Sequence, residues 1–225
     1  MKPTKEYNGR SRIRMFNCDC ESYMNACKEN RYQLAIVDPP YGINADDKNS
    51  QKELKSKKSA SLSKDYGSQK WDSNIPNDTY FNELIKVSKR QIVWGANYYG
   101  LKGGMLYWHK NVTMPTYSTG ELAWLSWLNK IDFVDITWHG MIQHNMKDKE
   151  HRIHPTQKPV QLYKWLLTNY AKEGDTILDT HGGSMSIAIA CWDLGFDLDI
   201  IELDPDYFND AVKRFERHIS QTQLF

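Results

Sequence analysis

The sequence is short of cysteine, of long apolar runs and of net charge, and each shortage excludes something. Its four cysteines, Cys18, Cys20, Cys27 and Cys191, are too few and too clustered for a disulfide scaffold, so a hydrophobic core has to hold the fold. Cys18 and Cys20 stand one residue apart, the wrong spacing for a zinc knuckle, and read as packing residues. No stretch resembles a signal peptide or reaches membrane length, which leads to the expectation of a reduced, cytoplasmic protein with no membrane partner. With 29 basic and 28 acidic residues the net charge is +1. Nucleic-acid affinity would therefore have to come from local patches rather than a general field. A chain of 225 residues suits one α/β domain, here taken as 1–225.

What the sequence does have is aromatic residues, 12% with 8 Trp and 13 Tyr, and a set of short apolar runs that end on acids. Leu34-Ala35-Ile36-Val37 stops on Asp38-Pro39-Pro40-Tyr41-Gly42. Four apolar residues bounded by a breaker read as a buried parallel strand, and the two prolines hold Asp38 and Tyr41 at its carboxyl end, where open α/β sheets bind ligands. An Asp38 carboxylate oxygen and an unpaired Pro39 carbonyl make two fixed acceptors for the hydrogens of an exocyclic amine. Tyr41 offers a flat face for a planar ring.

Upstream, Met1 to Ser11 is polar and is expected to fray. Arg12 to Asn17 reads as a strand, followed by a helix from Asp19 that is gone by Asn30. Strand, helix and strand at this spacing make a βαβ unit, which puts Asp19 beside Asp38 either as a helix N-cap or as a ligand contact. From 44 to 70 seven lysines face four acids, a composition that reads as a mobile loop. Its Lys55, Lys57, Lys58 and Lys64 are candidates for holding phosphates. A helix over Tyr80–Lys89 and strands over Gln91–Asn97, Met105–Trp108, Glu121–Trp127 and Ile131–Trp138 are expected to build the far part of the sheet. His139, His144, His151 and His154 cluster without the Cys or acid spacing of a metal site, so no metal is expected, and residues 139–153 form a short connection that can contribute to target recognition.

His154-Pro155-Thr156-Gln157-Lys158-Pro159 leads into a helix with Pro159 at its first position and Val160, Tyr163, Leu167 and Tyr170 three or four apart. Asp175-Thr176-Ile177-Leu178-Asp179 is again a short strand ending on an acid, followed by Thr180-His181-Gly182-Gly183-Ser184 and a helix from Met185 to Leu194, closed at Gly195. Strand, glycine turn and helix N-terminus form a nucleotide-type site, since glycine admits a ligand close to the backbone. The next strand ends on Glu202, 20 positions after Gly182, the separation at which a carboxylate can bond both ribose hydroxyls. A dinucleotide site is the rival reading, but the full GxGxxG fingerprint is missing.

Asp38-Pro39-Pro40-Tyr41 resembles the DPPY motif of the amino-methylating DNA methyltransferases, which methylate adenine N6 or cytosine N4. His154 to Pro159 resembles the family's HPTxKP segment, and Asp179 to Ser184 its DPFxGSGT loop. In that loop Thr180 and His181 replace Pro and Phe, and Met185 stands where the last glycine is usual. Asp204-Pro205-Asp206-Tyr207 resembles the IDPxY continuation, and the order of motifs is that of the β-class. The resemblance covers Asp19 through Arg214 and implies a Rossmann-like methyltransferase fold, a mostly parallel seven-stranded sheet with an antiparallel edge and helices on both faces. It implies S-adenosylmethionine as cofactor, held by Asp19, His154, Thr156, Lys158, Asp179, His181, Gly182, Gly183, Ser184 and Glu202. Catalysis would fall to Asp38, Pro39, Pro40 and Tyr41. The substrate implied is double-stranded DNA with the target base flipped out, and an acid at the first motif position favours adenine N6 over cytosine N4. Methylation of RNA or of a protein amide, and a non-catalytic DNA-binding relative, stay open. So do a homodimer and a companion restriction endonuclease.

Overall fold

The computed structural model describes residues 1–43, 72, 75–112, 118–139, 142–147 and 149–222. The lysine-rich stretch, with Lys55, Lys57, Lys58 and Lys64, lies outside the described residues. The rest folds as β1 (Lys5–Asn8), β2 (Arg12–Asn17), α1 (Cys20–Asn25), β3 (Leu34–Val37), α2 (Asp78–Val87), β4 (Gln91–Trp94), α3 (Ala96–Tyr99), β5 (Gly104–His109), β6 (Gly120–Leu125) and β7 (Ile131–Asp135). It continues with a small hairpin of β8 (Trp138–His139) and β9 (Ile142–Gln143), then α4 (Val160–Tyr170), β10 (Thr176–Asp179), α5 (Ser186–Leu194), β11 (Asp197–Glu202) and α6 (Pro205–Thr222).

Nine strands form one sheet in the order β1-β2-β11-β10-β3-β4-β6-β5-β7 among the described residues. Strands β2, β11, β10, β3 and β4 run parallel, and β5 pairs parallel with β7. Two strands run against them: β1 at one edge and β6, which lies between β4 and β5. The sheet is thus mixed and mostly parallel as expected, but it has nine strands, and one of its antiparallel strands is internal. The expectation that Met1 to Ser11 frays is corrected. Lys5 to Asn8 pairs with Arg12 to Met15, the Tyr7 ring meets Phe215 edge-on at 5.1 Å, and its hydroxyl donates to Glu216 at 2.6 Å.

Helices cover both faces because the central strands are apolar on both: every residue of β3 and β4 is buried. Ile13, Leu34, Ile36 and Ile177 pack against α4, α5 and α6 on one side. Phe16, Ala35, Val37 and Leu178 meet α1 and α2 on the other.

The connections locate the crevice. From β10 the chain runs through α5 to β11 on one side, and from β3 through α2 to β4 on the other. Strands β10 and β3 are adjacent and parallel, so the order reverses between them, and the gap outside their carboxyl ends is where such sheets take ligands. No helix among the described residues is long and apolar enough to cross a membrane.

Candidate active site at the strand carboxyl ends

A cavity of about 550 Å³ opens at that reversal point. This lies within the roughly 300–1,000 Å³ of small-molecule sites. The end of β2 supplies Cys18 and Asp19, β3 supplies Asp38 and Pro40, and the turn after β10 supplies Thr180 to Ser184. Glu202 comes from β11, Asp204 and Tyr207 from the start of α6, and His154, Thr156 and Lys158 from the segment before α4. The two halves of the site, far apart in sequence, therefore share one wall.

The glycine turn is shaped by its neighbours. At Gly182 a side chain would meet Ile200 at 3.0 Å and the Ile201 carbonyl at 3.2 Å, so this glycine serves the approach of the turn to β11. Gly183 has φ of 48°, and its N–H donates to Glu202 Oε2 at 2.7 Å. The other Glu202 oxygen accepts from Asp204 N–H at 2.9 Å. Burial pushes the Glu202 carboxyl above its ordinary value, opposed by these N–H donors. His154 packs edge-on against Tyr207 at 4.4 Å, and burial together with Lys158 and Arg152 lowers its pKa to about 3, so the ring is neutral. His181 is likewise lowered to about 4 by burial, against Asp19. Asp19 is a helix N-cap, accepting Ser22 N–H at 2.7 Å, and it lines the cavity as well.

Asp38 stands in a charged cluster. Its Oδ1 accepts from the Tyr41 hydroxyl at 2.6 Å and its Oδ2 from Lys158 Nζ at 2.5 Å. Lys158, with a side chain only 3% exposed, also lies 3.1 Å from Glu121 Oε2 and 5.2 Å from the Trp94 ring centre. Glu121 pairs in turn with Lys110. Burial opposes ionisation of Glu121, but the two ammonium groups outweigh it and hold its pKa at about 2. Burial raises Asp38 above the ordinary carboxylate value while Lys158 pulls it down and Glu121 adds to the rise.

Four expectations change on inspection. The Pro39 carbonyl is not unpaired: the Tyr99 hydroxyl donates to it at 2.7 Å and to Pro40 at 2.9 Å. Tyr41 offers no bare face, because Tyr98 stacks on it at 4.9 Å and 15°, and neither Tyr41 nor Pro39 lines the cavity. Asp179 is buried behind the wall, where Oδ1 accepts His181 N–H at 3.0 Å and fixes the turn. Lys158, expected with the cofactor set, reaches across to Asp38. Glu121 and Lys110 were not singled out from the sequence, and Tyr98 and Tyr99 only as part of an Asn-Tyr-Tyr turn suited to contacts. An acid opening the apolar strand β6 was the visible signal for Glu121.

The profile of a DNA methylase family matches residues 94–213, more than half of the chain. The chain belongs to the N6/N4 DNA methylase family. The methylase is similar in fold to the M1.HpyAVI–SAM complex, with TM-score 0.55 and 19% identity over 90% of this chain and 99% of the other. It is also similar to the PvuII DNA methyltransferase, described as cytosine-N4-specific, with TM-score 0.58 and 13% identity over 90% and 86%. A protein from Thermus thermophilus assigned as a DNA modification methylase, complexed with S-adenosyl-L-methionine, gives TM-score 0.56 and 15% identity over 92% and 94%. No curated protein sequence matches the methylase.

Proposed function

We propose that this DNA methylase transfers the methyl group of S-adenosylmethionine to the N6 amine of an adenine flipped out of duplex DNA. The observation that carries this reading is the meeting of Asp38 and the glycine turn in one cavity at the reversal of strand order. The cavity's size, the close backbone at Gly183 and the acid at the end of β11 suit a nucleoside-bearing cofactor. Glu202 and Asp19 would hold its hydroxyls, His154 and Thr156 its amino-acid end. When bound, S-adenosylmethionine supplies an electrophilic methyl group on a sulfonium sulfur. Solved structures of similar fold carry this molecule.

The protein's own share is acceptor chemistry. An aromatic amine is a weak nucleophile because its lone pair is delocalised into the ring. Hydrogen bonds from NH2 to Asp38 and to the second lone pair of the Pro39 carbonyl favour a tetrahedral nitrogen and stabilise the positive charge that develops on it. Holding the amine at a fixed point supplies much of the rate. A base reaches such a pocket only by leaving the stack, at a few kcal/mol, offset by stacking on tyrosine worth about 1–3 kcal/mol. Stacking on Tyr41 requires Tyr98 to swing away. Its four-residue helix α3 is bounded by Gly95 at φ of 78° and Gly100 at φ of 66°, where large backbone changes are cheap. The acid at position 38 favours adenine N6.

Asp38→Ala is expected to abolish transfer of labelled methyl to DNA while cofactor binding, measured by isothermal titration calorimetry, stays within about twofold. Full activity in this variant ends the assignment. Glu202→Ala is expected to weaken cofactor binding by roughly tenfold or more, as loss of a charged hydrogen bond implies. An unchanged dissociation constant would make Glu202 a strand residue and nothing more.

A further inference from the structure

The acceptor site, on the reading above, holds a cation against its acid. The target amine needs negative charge on Asp38 as well as a lone pair, yet Oδ1 already accepts from Tyr41 and Oδ2 from Lys158, whose ammonium offsets that charge. Lys158 cannot simply be released, since its side chain is almost fully buried and an unpaired buried ammonium is costly. A second carboxylate stands ready 3.1 Å from Nζ: that of Glu121. Glu121 Oε2 is buried and ion-paired with Lys158 at 3.1 Å, looser than the 2.5 Å from Nζ to Asp38, while Oε1 is held by Lys110. Glu121 is thus fixed in place as the looser of the two partners of the cation that offsets the charge of Asp38.

We propose that Lys158 is a shared counter-ion that passes from Asp38 to Glu121 when the target amine arrives, making Glu121 a positioning residue for methyl transfer. The move is short and keeps the ammonium beside the Trp94 ring, 5.2 Å away, and the Tyr41 ring, 5.7 Å away. The set Asp38, Glu121, Lys158 and Lys110 sums to zero charge before and after, so no net charge has to cross a buried site. Asp38 is left with its negative charge no longer offset, which is what an amine becoming cationic requires. Lys158 therefore acts on the acceptor side of the reaction, and Glu121 acts only through it.

The test rests on opposite shifts and on non-additivity. The groups facing Asp38 are Lys158, Tyr41 and Glu121, with Tyr99, Tyr163 and Asp179 behind them. Glu121→Gln strands Lys158 on Asp38 and removes a neighbouring negative charge. Turnover on unmodified genomic DNA is expected to fall about 100-fold, as for other lost positioning. Cofactor affinity should hold, and the acid limb of the kcat profile should move to lower pH. Lys158→Met is expected to move that limb to higher pH. The double variant is expected to be no slower than Lys158→Met alone.

Wild-type turnover in Glu121→Gln, limbs that do not move, or losses that multiply in the double variant would each overturn the handover. If Glu121→Gln does not fold, Glu121→Asp withdraws the carboxylate while keeping its charge, and wild-type kcat there overturns the proposal equally. Carboxylate NMR of Asp38 in the free protein gives a readout without turnover: Glu121→Gln is expected to lower its titration midpoint, and an unmoved midpoint counts against the proposal. The two readings fail separately. Wild-type protein that methylates nothing ends the proposed function, whereas active protein with unmoved Asp38 ends only the handover.

Discussion

Met185 adopts a left-handed backbone, φ 54° and ψ 34°, at the residue before α5, where the family motif has glycine. For a side chain of this size that conformation costs roughly 1–2 kcal/mol. The side chain is fully buried in the core beneath α4 and α5, which returns about 1.5–3 kcal/mol. Burial of the side chain thus offsets the cost of the backbone conformation. Met185→Gly relieves the backbone but empties the core, and a net loss of about 1–3 kcal/mol is expected in denaturant unfolding. Asp179 carries a different signature: burial raises its pKa to about 8, against the His181 N–H and with Asp38 and Glu202 adding to the rise. The native carboxyl thus holds a proton that the unfolded chain has released above its ordinary value near 3.8. Its stabilising contribution is complete below that value and is lost as pH rises through about 8. Asp179→Asn mimics the neutral acid, so its melting temperature is expected to gain on wild type as pH goes from about 5 to about 9. A constant difference across that range would contradict the buried, protonated state.

At the scale of elements, β3, β10 and β11 were legible because each is a short apolar run ending on an acid, and burial on both faces leaves that pattern no alternative. Strand β1 was not. It is an edge strand whose Lys5, Glu6 and Asn8 face solvent, and in composition a polar edge strand looks like a loose terminus. Of its four residues only Tyr7 is partly buried. Nor could the sequence show that β6 threads between β4 and β5, and that placement brings Glu121 to Lys158 across the chain. Asp38, the proposed catalytic acid, could be read locally; its charged surroundings depended on long-range pairing. Helix α3 was also missed, as four residues between two glycines carry no periodicity. A Cβ at Gly95 would run into the Tyr41 ring, in a conformation that L residues avoid. Gly95→Ala is accordingly expected to displace Tyr41 from Asp38 and cut methyl transfer about 100-fold, with cofactor binding retained. Unimpaired transfer would show that the Tyr41 position is not needed.

Across the whole molecule, one buried acid ties the ends of the chain together. Asp199 in β11 takes two bonds of 2.6 Å from Arg14 in β2, one of 3.1 Å from Arg31, and hydroxyl donors from Tyr23 and Tyr32. Asp199→Ala leaves two guanidinium groups without their partner, and a loss of about 3–5 kcal/mol is expected in urea titration. A loss below about 1 kcal/mol would show the network to be incidental. This framework fixes β11, hence Glu202, against the strands that carry Asp38 and the glycine turn. The central claim, that Asp38 presents an adenine amine to a methyl donor held on that turn, has one direct measurement. Unmodified duplex DNA is incubated with the protein and methyl-labelled S-adenosylmethionine, then digested to nucleosides and resolved by mass spectrometry. Labelled N6-methyldeoxyadenosine from the wild type and none from Asp38→Ala is the expected result. Label in N4-methyldeoxycytidine, equal label from Asp38→Ala, or no labelled nucleoside at all would contradict it.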